Sequence, residues 1–321
     1  MGRLALVAIL LLSARPLPAS PETIDEGVRL FEARRFPEAK VFFLRFAGAD
    51  ASSAEADYYL GRLFINEDDY DQAIAWLERS VALRDGSPEH HLWLGRAYAE
   101  KTLISNFFRR ASLAPKVREQ FERAVELDPD NLDARLNLVD FHLQAPGIVG
   151  GSLDKAIEQA AEIKKRDPIQ GHLAYGRIDH DQKKDDLAER EYLAAIHESP
   201  SSAMPRLQLG DLYQALGRYD DAFRVFEEIV RTDPGQMVAM YQIGRTAVLS
   251  GRNLDRAAEC LRLYLGYRPG DNDPNLGWAH FRLGQVLEKK GSADAAKREY
   301  AAAVAADPRN KEAKSALRRI S

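Results

Sequence analysis

Cysteine is almost missing from this chain: one residue of 321, Cys260. That excludes an intramolecular disulfide and any zinc cluster built on cysteine. The seven histidines contain no HExxH pair, so the helical zinc-hydrolase signature is lacking too. There is no excess of one charge. The 45 Lys and Arg stand against 49 Asp and Glu for a formal net charge of −4, without the basic footprint that nucleic-acid binding needs. Past residue 20 no apolar run approaches the ~20 residues that cross a bilayer. The one glycine-rich turn ahead of an amphipathic stretch, Ala145–Ser152 (APGIVGGS), has neither the lysine nor the spacing of a P-loop, and no strand pattern precedes it. No metal, cofactor or nucleic-acid partner is therefore expected, and no enzymatic activity.

The first residues read as an address. Arg3 precedes an apolar run, Leu4–Leu12, followed by prolines and small residues through Ser20, which is the layout of a secretory signal peptide. Nine to eleven apolar residues are too few to span, and no cysteine follows them to carry a lipid anchor. Cleavage is expected near Ala19, leaving an exported protein, periplasmic in a diderm bacterium. A lone cysteine suits an oxidising compartment, having no partner to mispair with.

The rest of the chain repeats one pattern. Between Arg206 and Pro234 stand Leu209-Gly210, Tyr213, Gly217, Tyr219, Ala222, Phe226 and Pro234. Leu209 with Tyr213, and Ala222 with Phe226, are i, i+4 pairs that give two successive helices an apolar stripe each. Gly210 and Ala222 are small enough to let those helices approach closely. Gly217 suits the left-handed residue just past a helix end. Pro234 stops the second helix, since it has no N–H and drives its predecessor out of helical space. A single hairpin of this kind cannot bury its own faces and needs neighbours.

Related spacings return as Leu60-Gly61 with Ala73 and Leu77, Leu94-Gly95 with Phe121 and Ala124, Gly176 with Ala188 and Tyr192, Ile243-Gly244 with Leu261, and Leu283-Gly284 with Ala296 and Tyr300. The pattern resembles the 34-residue tetratricopeptide repeat, with Arg206 where that family opens on tryptophan. Eight imperfect copies are placed near 21–53, 54–87, 88–131, 132–168, 169–202, 203–236, 237–276 and 277–308, in a repeat domain spanning 21–321 with a polar-backed cap at 309–320. The resemblance implies an all-α fold, an α-solenoid: a right-handed superhelix of about eight hairpins with first helices lining a concave groove.

Two copies depart from the pattern. The fourth has a lengthened turn at Ala145–Ser152, with Ser152 expected to cap the next helix. The third is about ten residues too long, the excess lying in Lys101–Pro115. Leu103/Phe107 and Ile104/Phe108 are i, i+4 pairs there, so extra helical turns are expected. They read either as a hydrophobic hook for a partner or, favoured here, as a longer hairpin packed on its own neighbour.

The resemblance also implies a groove written at the fifth and ninth residues of each repeat. The fifth are Tyr58, Leu92, Leu136, Leu173, Leu207, Tyr241 and Phe281; the ninth are Arg62, Arg96, Asp140, Arg177, Asp211, Arg245 and Gln285. An apolar stripe flanked by four arginines suits a protein or peptide ligand with acidic residues. Alternatively the arginines pair with carboxylates of adjacent repeats. The chaperone-tail clamp known in the family uses asparagine where Arg62, Arg96 and Arg177 stand here, so that ligand does not carry over. His172 and His180 are expected to line the groove, and Cys260 to be core. The expected role is a non-enzymatic scaffold or adaptor, with a structural subunit of a cell-envelope assembly, held by its convex face, as the first alternative and an enzyme of unknown type as the second.

Overall fold

Proline and left-handed residues set the boundaries of the helices. The computed structural model describes residues 23–47, 53–270 and 273–320, so the signal-peptide reading lies outside the described residues. Among these, every regular element is helical. Residues up to Gly86 and those from Ser87 onward form two compact units, taken here in turn.

The first unit contains α1 (Ile24–Glu32), α2 (Phe36–Phe46), α3 (Ala54–Asn66) and α4 (Tyr70–Leu83). Phe31, Phe42, Phe43, Leu60 and Leu63 are buried together. The Tyr59 ring stacks on Phe43 with centroids 4.9 Å apart. Ser53 precedes α3, but its hydroxyl caps no N–H of that helix. Its backbone is already helical there (φ −87°, ψ −8°), which takes the side chain away from the capping position.

The second unit runs α5 (Pro88–Leu103), α6 (Phe107–Leu127), α7 (Leu132–Gln144), α8 (Leu153–Arg166), α9 (Pro168–Asp181), α10 (Asp185–Glu198), α11 (Ala203–Ala215), α12 (Tyr219–Thr232), α13 (Met237–Ser250), α14 (Leu254–Leu265), α15 (Leu276–Lys289), α16 (Ala293–Ala306) and α17 (Lys311–Ile320). Each odd-numbered helix from α5 to α15 packs on the helix after it, and the hairpins stack in chain order. The last helix, α17, lies on α16 with Ala313 and Ala316 buried.

The turn after α11 explains one glycine. Gly217 has φ +71°, and Arg218 N–H reaches back to Tyr213 O at 2.8 Å, the six-to-one bond of a Schellman end. Second helices end differently: Asp128, Asp167, Asp233 and Asp307 are extended and Ser199 is outside helical space too, with φ between −135° and −140°. Each precedes a proline, which excludes helical backbone there.

Inside each hairpin a small residue meets a large one. A Cβ on Gly210 would lie 2.3 Å from the Phe226 ring, and one on Gly176 2.4 Å from the Tyr192 ring. The fourth hairpin inverts the sizes, with Val139 on α7 and Ala160 on α8, both fully buried in one cluster. Cys260 is buried in the core as well, and burial pushes its thiol up to about 11, so it is inert packing.

The lengthened third hairpin is helical, as expected, but the apolar side chains of its added tip do not pack on a neighbour. Leu103, Ile104, Phe107 and Phe108 are 60, 65, 75 and 82% exposed. Helix α5 ends at Leu103 and Asn106 caps α6 by accepting from Arg109 N–H. The two apolar pairs therefore straddle a turn instead of sharing a helix face.

Candidate functional site

The sequence-derived site residues divide by their position on the first helices. At the fifth position, Tyr58, Leu92, Leu173, Tyr241 and Phe281 are buried, and Leu136 and Leu207 are half-buried. Those of the second unit lie beneath its first-helix face, with little apolar area left for a ligand.

The ninth position is more informative. In the second unit Arg96 pairs with Asp133 of α7 at 3.0 Å. The Arg177 guanidinium donates to both oxygens of Asp140, at 2.6 and 2.7 Å, joining α9 to α7. Arg245 lies 3.6 Å from Asp211, which also accepts from Gln242 at 2.9 Å, joining α13 to α11. Burial pushes the Asp211 carboxyl up to about 6 while Arg245 pulls it down. In the first unit Arg62 lies over the Phe31 ring, 4.6 Å from its centroid, and donates to the Tyr58 hydroxyl at 3.2 Å. The ninth-position arginines of the second unit thus pair with carboxylates of an adjacent first helix, a ladder of mixed sign instead of a cationic strip.

Gln285, the last ninth-position residue, opens on a cleft of about 530 Å³ with Phe281, Tyr300, Glu312, Ser315 and Arg319. Glu288 on its wall accepts from the Tyr300 hydroxyl at 2.6 Å and from Arg319, and the Arg319 bond holds its carboxyl down to about 2. Glu288 and Arg319 escaped sequence reasoning because α17 lies outside the repeat register that assigns faces.

A second feature was also missed. In six repeats the fourth position, where the family pattern has tryptophan, is polar and pairs across to the hairpin's own second helix; in the seventh it is Met240, buried in the core. The pairs are Asp57–Arg79 at 3.1 Å, His91–Gln120 at 2.7 Å, Arg135–Gln159 at 2.8 Å, His172–Glu191 at 2.6 Å, Arg206–Glu228 at 3.7 Å and His280–Glu299 at 2.7 Å. His172 therefore faces α10 and not a groove, which corrects the sequence expectation; His180 likewise bonds Asp185 at the start of α10 at 2.6 Å. A period-wise list of fourth residues would have exposed this polar column. Among the described residues no three His, Cys, Asp or Glu side chains converge as a metal site.

Residues 24–88 and 118–170 match one tetratricopeptide-repeat family model, 203–246 a second and 279–310 a third. Mouse (Mus musculus) Superkiller complex protein 3 is 24% identical over 275 residues, covering 81% of this chain and 16% of that protein. The chain thus spans about one sixth of that relative's length. A monomeric mutant of IFIT1, solved with Gppp-AAAA, is similar at a TM-score of 0.56 and 17% identity, covering 92% of this chain and 70% of that one. A tetratricopeptide repeat protein from Parabacteroides merdae gives a TM-score of 0.48 and 14% identity over 83% of this chain and 98% of that one. At these identities the structural likeness is one of fold.

Proposed function

Because the chain belongs to the tetratricopeptide-repeat family, we propose that it is a non-enzymatic scaffold that holds a protein or peptide along its first helices. The observation that carries this reading is the ladder of half-exposed ion pairs, Arg96–Asp133, Asp140–Arg177 and Asp211–Arg245. These groups alternate in sign on successive first helices, above an apolar floor. Such a face offers donors and acceptors in turn and suits a segment of mixed charge better than a purely acidic one. A phosphate-rich ligand, such as the one IFIT1 was solved with, is disfavoured by the net charge of −4 and by arginines already committed to carboxylates. Export with removal of residues 1–20 belongs to the same proposal, and N-terminal sequencing of the mature chain tests it.

The face itself is tested by exchanging one pair. Peptides are selected by display on the purified chain and their affinities measured against Asp140→Arg/Arg177→Asp. The double exchange keeps the ion pair, and with it the fold, but reverses the local polarity. Selected peptides should lose at least about tenfold in affinity, one 1.4 kcal/mol step. Unchanged affinity would remove the first-helix face as the binding surface.

A further inference from the structure

We propose that the tip of the third hairpin, residues 101–118, docks on an anionic phospholipid surface. Four large apolar side chains stand at this tip with 60 to 82% of their area in solvent. Phe107 and Phe108 touch edge to face, 5.7 Å between centroids, and leave their outer faces uncovered. Helix α6 has 21 residues against 14 in α8, α10 and α12. At 1.5 Å per residue its start is carried about 10 Å further out than theirs.

The charge around the tip differs from the rest of the chain. From Lys101 to Arg118 there are five basic residues, Lys101, Arg109, Arg110, Lys116 and Arg118, and no acidic one, in a chain of net charge −4. The later second helices α8, α10, α12, α14 and α16 all carry aspartate in their first turn; α6 has no acid in its first turn and carries Arg109 and Arg110 there.

The tip is also held in shape. Arg110 donates to the carbonyls of Thr102, Leu103 and Ser105 at 2.9 to 3.0 Å, tying the end of α5 to the start of α6. These bonds hold the turn from which the aromatic pair projects.

A projecting apolar point with a basic collar fits a fluid anionic interface. Side chains of this kind enter about 5–10 Å, to the boundary of headgroups and acyl chains. Lys and Arg remain at the phosphate level, each contributing electrostatic attraction that salt screens. A protein partner would need a preformed pocket to enclose all four side chains, whereas lipid closes around a protrusion of any outline.

The test places an environment-sensitive fluorophore on Ile104→Cys in the full chain. Cys260 is buried and stays unlabelled. Vesicles of phosphatidylcholine with 30% phosphatidylglycerol, a composition of about this anionic content being chosen to mimic a charged leaflet, should shift the emission to the blue. Phosphatidylcholine alone should shift it much less, and the same dye at Ser201→Cys should not respond. Phe107→Ser/Phe108→Ser should weaken vesicle binding at position 104 at least tenfold with an unchanged melting curve, and Arg109→Glu should weaken it in the same direction. No shift with anionic vesicles, or a shift indifferent to the phenylalanines, overturns the proposal. A photo-cross-linker at position 104 that captures a protein, with no response to vesicles, makes the tip a protein hook and also overturns it.

Discussion

The size complementarity inside the hairpins makes a quantitative forecast. Gly210 sits against the fully buried Phe226 ring, and any Cβ there would come within 2.3 Å of it. Gly210→Val gains only a little helix propensity, about 0.4 kcal/mol, because valine is itself a weak helix former. It also drives two methyl groups into the ring, and overpacking of that kind costs about 1–3 kcal/mol or more. Phe226→Ala alone leaves a cavity at a cost of about 3–5 kcal/mol. The double variant Gly210→Val/Phe226→Ala recreates the arrangement found naturally at Val139 and Ala160, both of them buried in one cluster. Its cost should fall below the sum of the singles by at least about 2 kcal/mol, the coupling expected of residues sharing one cavity. Urea unfolding followed by far-ultraviolet circular dichroism measures all four corners of the cycle, with midpoints compared at constant slope. Costs that add within about 0.5 kcal/mol would mean the two positions do not share that space, and the packing argument would fail.

Three further outcomes concern charge. Burial pushes Asp57, fully enclosed in the first unit, up to about 6 from 3.8. The folded unit therefore holds a proton that the unfolded chain has released between those values, and loses stability as pH rises through that window. Asp57→Asn should recover up to about 3 kcal/mol at pH 7.5, read from urea midpoints; a lower midpoint contradicts this. His142 is buried against Gly150 O at 3.1 Å, and burial lowers its pKa from 6.5. Its contribution is present above pH 6.5 and lost as pH falls below it, so His142→Gln should flatten the loss of stability between pH 7 and 5. Arg177→Ala breaks a pair about 40% exposed on each side and should cost less than about 1 kcal/mol; a larger drop in melting stability would make that pair structural.

The helical class and hairpin ends were legible because they depend on local chemistry. Gly217 adopts the left-handed backbone its position demanded, and the residues before the prolines have left helical space. Ser152 caps α8 by accepting from Lys155 N–H, as its place ahead of an amphipathic stretch implied. The candidate site was less legible because its partners come from different hairpins. Asp140 and Arg177 are 37 residues apart, and only the stacking register brings α7 and α9 side by side. His172 was misassigned for a related reason: the direction of the fourth position depends on how α10 lies across α9. At residues 103–108 the i, i+4 spacing misled, since it holds only within one helix and the chain turns at Asn106.

The scaffold reading is tested most directly by a hydrogen-exchange footprint of the intact chain with a selected peptide at saturation. Bound peptide should slow exchange in α7, α9, α11 and α13, where the paired arginines and aspartates lie, and leave α8, α10 and α12 unchanged. Protection confined to α8, α10 and α12 would contradict the account and transfer binding to the opposite face of the hairpins.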